Sequence, residues 1–135
     1  MKYSELTLHY FETAHGAGTL TGPDVYRGAA GSREQGTWVQ FNVQIVDGDI
    51  RAVRFLAFAC PHTIAVSAWV AEHAVGGALR AALPESVQDL SERFAVPVEK
   101  RGRLLIVEDA WVAAVTRLVR CSAERSLSKQ PKTPI

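Results

Sequence analysis

Cysteine is scarce in this chain: Cys60 and Cys121 are the two thiols among 135 residues. Two cannot build a disulfide framework, so burial of apolar surface has to hold the fold, and both thiols are read as reduced. Charge of either sign is not in excess. The formal net charge of +1 removes the electrostatic case for nucleic acid or an anionic membrane as a partner. No apolar run is long enough to span a bilayer, and Met1-Lys2-Tyr3-Ser4-Glu5 carries no apolar signal core, so the expected compartment is cytoplasmic. Catalytic signatures are missing as well: there is no G-x-S-x-G, no H-E-x-x-H and no C-x-x-C. The glycines of Arg27 to Gly36 do not follow a strand in the manner of a phosphate-binding loop. Glu108 and Asp109 are helical neighbours that point in different directions, so they do not form a working carboxylate pair. A thiol–imidazole pair of Cys60 and His62 has no third group to orient it. The reading is a protein that is not an enzyme.

What is present suits a single domain. Apolar residues make up 47% and charged residues 21%, the balance of a globular chain with a proper core. Ser4 is placed as the N-cap of a short helix carrying Leu6, Tyr10 and Phe11, ended by Gly16-Ala17-Gly18. Residues 19–36 read as a loop with one strand at most, mobile over Arg27 to Gly36. Val39, Phe41, Val43 and Ile45 alternate with Gln40, Asn42 and Gln44, the pattern of a half-buried strand. Asp47-Gly48 supplies a tight turn, and residues 50–58 return as the partner strand. That second strand is apolar on both faces and reads as the more central of the two. Helices are expected over residues 62–75 and 86–94, the second capped by Ser86. Leu104, Val107, Trp111, Val115 and Leu118 then repeat at helical spacing. The expected fold is α+β: a small antiparallel sheet of about three strands packed against several helices. Residues 1–122 form the domain, and 123–135 read as a disordered tail.

Cys60 is the most informative residue. In Phe58-Ala59-Cys60-Pro61-His62-Thr63-Ile64-Ala65 a strand-like run breaks directly into a helical pattern. Pro61 suits the first helical position, because its missing N–H would find no intrahelical partner there. Cys60 is thereby set at or beside the N-cap, where the positive end of the helix dipole favours the thiolate that binds metals and attacks electrophiles. The plainer reading of the same residue is a small buried hydrophobe. His62 can share the helix end with Cys60; otherwise it is a solvent-facing first-turn residue.

The run from Phe55 to Ala65 resembles the strand–cysteine–helix passage of the IscU/NifU-type iron–sulfur cluster scaffolds, which reads F-x-x-x-G-C-x-x-x-I-A. Three other stretches agree in order. Tyr3-Ser4-Glu5 with His9-Tyr10 resembles the family's first helix, Val39 to Ile45 its long strand, and Glu108-Asp109-Ala110 with Ala113-Ala114 its last helix. The resemblance spans roughly residues 3–119. It implies an iron–sulfur assembly scaffold whose cluster is held by three cysteines with a histidine and an aspartate nearby. In this chain Gln35 and Thr37 stand where the first cysteine and the aspartate would be, and Gly102-Arg103 where a His-Cys pair would be.

Cys60 is thus the one ligand cysteine retained, with His62 as the second candidate metal ligand. Cys121 cannot replace the others, since it lies about 18 residues beyond Arg103 on one predicted helix, on the order of 27 Å along its axis. Clusters need about four ligands, mostly thiolates, so iron–sulfur cluster or zinc binding at Cys60 is expected to be weak or absent. The resemblance also implies a cysteine desulfurase or other iron–sulfur assembly proteins as partners. Val96-Pro97-Val98-Glu99-Lys100 matches the family's chaperone-recognition stretch only in part. The alternative is a non-catalytic interaction or regulatory module that kept the scaffold fold and lost the cluster.

Overall fold

Alternation of apolar and polar residues produces the strands at the centre of the molecule. The computed structural model describes residues 3–78 and 82–128. In chain order these form α1 (Glu5–Thr13), β1 (Val25–Ser32), β2 (Thr37–Val46), β3 (Asp49–Phe58), α2 (Pro61–Ala74), α3 (Val87–Arg93), a 3-10 turn at Val98–Lys100, and α4 (Gly102–Ser128). The sheet is antiparallel with the order β1-β2-β3. The expected α+β architecture is therefore present, with its three strands.

The hairpin follows from its turn chemistry. Asp47 and Gly48 adopt φ of 54° and 81°. Positive φ at both central residues matches the right-handed twist of the flanking strands and is what Asp-Gly tolerates. The turn sets the register, pairing Phe41 with Phe55 and Val43 with Val53. Val39, Phe41 and Val43 are fully buried on the inner face and meet the helices there. Phe41 lies edge-on to Trp111 of α4 at 5.5 Å.

Two expectations are corrected. β2, not β3, is the central strand. β3 looked central because both of its faces are apolar, yet Leu56 and Phe58 on its outer face are exposed. Its free edge is instead met by the loop after α1: Gly18 N–H donates to the Phe55 carbonyl, and Phe55 N–H to that of Gly16, both at 2.8 Å. The stretch Arg27 to Gly36 is ordered, not mobile, since most of it is β1 and the turn into β2. Its small residues mark a close approach. A Cβ on Gly28 would stand 2.1 Å from the backbone nitrogen of Ala114, so α4 rests directly on this strand.

Ser4 caps α1 by accepting from Thr7 N–H at 3.1 Å, and Ser86 caps α3 by accepting from Asp89 N–H at 3.1 Å. Both satisfy an otherwise unpaired donor of a first turn. The inner face of α4 buries Leu104, Val107, Ala110, Trp111, Ala114 and Val115. This helix runs on to Ser128, into the stretch 123–135 read as a tail; the last part of that stretch lies outside the described residues.

Candidate functional site

Cys60 is the N-cap of α2, with φ −76° and ψ 165°, and Pro61 begins the helix. Its carbonyl accepts from Ile64 N–H at 3.1 Å, while its sulfur stands 3.6 Å from the Thr63 hydroxyl. Burial by itself would push the thiol up. The Thr63 N–H and hydroxyl, the Arg103 guanidinium and the His62 N–H outweigh it, and the thiol sits below its ordinary value. None of the N–H groups closes a full side-chain cap on the sulfur, so they act on it as nearby dipoles. Cys60 remains half-buried and within reach of solvent.

Arg103 comes from the first turn of α4, across from the start of α2. Its guanidinium is near enough to Cys60 to help lower the thiol, the neighbourhood that the family resemblance implied. Thr37 opens β2 at the same end of the sheet and is fully buried. A Cβ on Gly31 would meet both the Thr37 carbonyl and the Ile106 side chain, so Thr37 borders the turn of α4 that follows Arg103. Gln35 is exposed in the turn between β1 and β2, where its N–H donates to Ser32 Oγ at 3.1 Å. Arg101 donates to the Val96 carbonyl at 3.4 Å and lines a separate cleft between α3 and α4. Arg101 and Arg103 therefore serve different places and do not form one anion site.

His62 departs from the solvent-facing position open to it. It is 1% exposed, with Tyr3 edge-on at 4.7 Å. Among the described residues its Nδ1 has no hydrogen-bond partner, and neither has the buried Thr37 Oγ1. Burial, then the charges of Lys100 and Arg103, hold the imidazole below its usual value. Thr63 and Lys100 were not singled out from sequence. Thr63 carried a readable signal, because the third position after an N-cap points its donors back at the cap residue.

Over residues 2–123 the sequence matches the family model of the NifU-like N-terminal domain. The chain belongs to that family. It is similar to the iron–sulfur cluster assembly scaffold protein IscU of Escherichia coli K12, with 29% identity over 118 residues, covering 85% of this chain and 92% of that one. The IscU of Azotobacter vinelandii is 28% identical over the same shares of each chain. Among solved structures, the N-terminal part of a NifU-like protein from Brucella abortus superposes with a TM-score of 0.68 at 20% identity, covering 87% of this chain and 94% of that one. A scaffold protein for the SUF system from Fervidobacterium islandicum gives 0.68 at 14% identity, over 84% and 96%. These two likenesses speak to fold.

The donor set of this NifU-like domain does not fit a resident cluster. Among the described residues no group of three or more His, Cys, Asp or Glu side chains could hold a metal ion. Arg103 already acts on the Cys60 thiol, and Lys100 and Arg103, which with burial hold His62 below its usual value, oppose any incoming cation. Cys121 stays on α4, which is one unbroken helix from Gly102 to Ser128.

The depressed imidazole carries a pH signature. Above roughly 6.5, folded and unfolded chains both hold His62 neutral and its contribution to stability is fully present. Below that value the unfolded chain takes a proton that the buried ring refuses, so stability falls as pH drops toward the folded value. Urea unfolding at pH 7.5 and 5.5 should show this loss in wild type and a smaller one in His62→Gln. Equal losses in both proteins would mean that the ring titrates as in the unfolded chain.

Proposed function

We propose that this NifU-like domain is an iron–sulfur assembly protein of the scaffold type that holds iron, zinc or a labile cluster through Cys60, with further ligands supplied from outside the chain. The observation that supports it most is the placement of Cys60 at the α2 N-terminus, where nearby donors lower the thiol from its ordinary value toward the metal-binding thiolate. His62 is the second candidate ligand, since a neutral imidazole is the form that binds metal. A single thiolate cannot satisfy a cluster, so the cargo is held weakly and passes on. A cysteine desulfurase or another assembly protein is the class of partner this role needs. The role is that of a carrier, not of an enzyme, and the cytoplasm is its proposed place of work. No helix of the described residues is long and apolar enough to cross a membrane.

A second reading is favoured by one observation. Arg103 occupies the position where the resemblance expects a ligand and acts on the Cys60 thiol as a cation, and a guanidinium cannot coordinate a metal. On that reading the domain is a non-catalytic interaction or regulatory module. Metal and acid-labile sulfide analysis of anaerobically purified protein separates the two. The carrier reading expects substoichiometric iron or zinc, lost on aerobic purification and absent from Cys60→Ser. Identical metal content in wild type and Cys60→Ser would favour the module. A stable chromophore with roughly two irons per chain after gel filtration would contradict both.

A further inference from the structure

Helices pack on the face of the sheet that carries Gly28 and Phe41. The opposite face lies open: Arg27, Ala29, Leu56 and Phe58 on it are exposed. Because the three strands pair in register, their outward side chains fall into cross-strand rows. One row is Arg27, Asn42 and Arg54. Two residues further along the strands come Ala29, Gln40 and Leu56, and then Gly31, Trp38 and Phe58. An apolar, aromatic end thus adjoins a row with two guanidinium groups.

Both arginines of that row are held in place. Arg27 Nε donates to Asn42 Oδ1 at 2.6 Å, and its Nη2 to the Leu20 carbonyl at 2.8 Å. Asn42 points outward from its strand yet is fully buried, and its Nδ2 donates to Gln40 Oε1 at 3.3 Å. Arg54 Nη1 donates to the Val53 carbonyl at 3.0 Å. Side chains fixed in this way lose less freedom when a partner binds. Arg33 lies over the Phe58 ring at 5.5 Å and brings a further cation to the aromatic end. No Asp or Glu holds an outward position in these rows; Asp24, Glu34, Asp47 and Asp49 all stand at the strand ends.

We infer that this open face binds an extended, acidic segment of another protein, with carboxylates on Arg27 and Arg54 and an apolar side chain against Trp38, Leu56 and Phe58. The inference rests on neither reading of Cys60. Charge decides the occupant. A second copy presenting the same face would set arginine against arginine, which opposes pairing. Residues 129–135 of the chain itself carry Lys129 and Lys132 and no Asp or Glu, so they do not complement the face either. Size points the same way. Three strands of about eight residues span on the order of 400 Å², half of the roughly 800 Å² that each partner gives to a stable interface between domains. A single extended segment suits that area. Single-stranded nucleic acid would meet the same cations, but Ala29 and Leu56 offer no ring for stacking, and a net charge of +1 exerts little long-range pull on a polyanion.

The test titrates isotope-labelled full-length protein with a synthetic peptide of repeating Asp-Glu-Leu-Phe and follows the backbone amide resonances. The expected result is a saturable set of shifts clustered on Arg27, Trp38, Arg54 and Phe58. Affinity should fall about tenfold as ionic strength rises from roughly 0.05 to 0.5 M. The same peptide with Asn-Gln in place of Asp-Glu should bind several-fold more weakly. Arg54→Gln should weaken the acidic peptide several-fold, while Arg54→Lys, which keeps the charge, should retain most of the affinity. Leu56→Gln, at an exposed position, probes the apolar half and should also weaken binding several-fold. Circular dichroism confirms that each variant is folded, and the leucine variant keeps the test decisive if an arginine one is not. Absence of saturable shifts, shifts centred instead on Arg101 and Arg103, equal binding of the amide peptide, or equal affinity in folded wild type and Arg54→Gln would overturn the inference. So would tighter binding of oligothymidine, or a dimer in sedimentation whose contacts map to this face. Metal content does not enter this readout, so it and the carrier reading can fail separately.

Discussion

Gly28→Ala is expected to lose about 3 kcal/mol of stability, a methyl group forced into a packed interface. The added carbon would lie 2.1 Å from the Ala114 nitrogen, 2.5 Å from the Ala113 carbonyl carbon and 2.6 Å from the Ala114 Cα. All three are backbone atoms of a helix, so no side chain can swing aside. Relief requires α4 to lift from β1, and α4 buries Leu104, Val107 and Trp111 from its inner face. Thermal unfolding should report a drop of roughly 10 °C. Gly102→Ala is the matched control, because a Cβ there meets nothing within 4 Å. It should stay within about 0.5 kcal/mol of wild type or gain slightly, since alanine loses less backbone freedom in a helix than glycine. A Gly28→Ala protein melting within a degree or two of wild type would show that α4 does not rest on β1 as described.

Trp111→Ala should cost about 3–5 kcal/mol, the range for removing a large buried aromatic side chain. Trp111 is among the largest fully buried side chains, and its edge-on contact with Phe41 joins α4 to the central strand. Aromatic pairs of this geometry contribute about 0.5–1.5 kcal/mol beyond the area they bury. Against a total of about 5–15 kcal/mol for a domain, such a loss threatens the folded state itself. Urea unfolding should show a lower midpoint with little change of slope, and Trp111→Phe should recover more than half of the loss. A midpoint unchanged in Trp111→Ala would be incompatible with the core as drawn. The effect also reaches the site, because the helix that Trp111 anchors is the one that carries Arg103 to Cys60.

What could be read from the sequence was whatever leaves a periodic or a chemical mark. The β2–β3 hairpin was legible because period-2 alternation meets Asp47-Gly48, and the start of α2 because proline after cysteine fits a helix entrance. The vicinity of Arg103 and Cys60 came from the family resemblance alone, since nothing local in either segment points to the other. β1 was not legible. Gly28, Ala29, Ala30 and Gly31 have too little side chain to alternate, and their smallness records the helix above them, which lies far off in sequence. The burial of His62 was hidden for a related reason: the ring is covered by Tyr3, far off at the start of the chain, while its own helix turn looks polar. The membership of β3 at the sheet edge was masked by Phe55, Leu56 and Phe58, which suggest burial on two sides.

The loop that follows α1 has a consequence for solubility. A bare strand edge bearing Phe55 among exposed Leu56 and Phe58 is a template on which another chain can add. Gly16 and Gly18 occupy the Phe55 backbone positions with their own hydrogen bonds, so the molecule's first helix and loop act as its gatekeeper against self-templated aggregation. Loss of the N-terminal residues, even with the core and Cys60 untouched, would release that edge and turn a dispersed protein into one prone to β-type assembly.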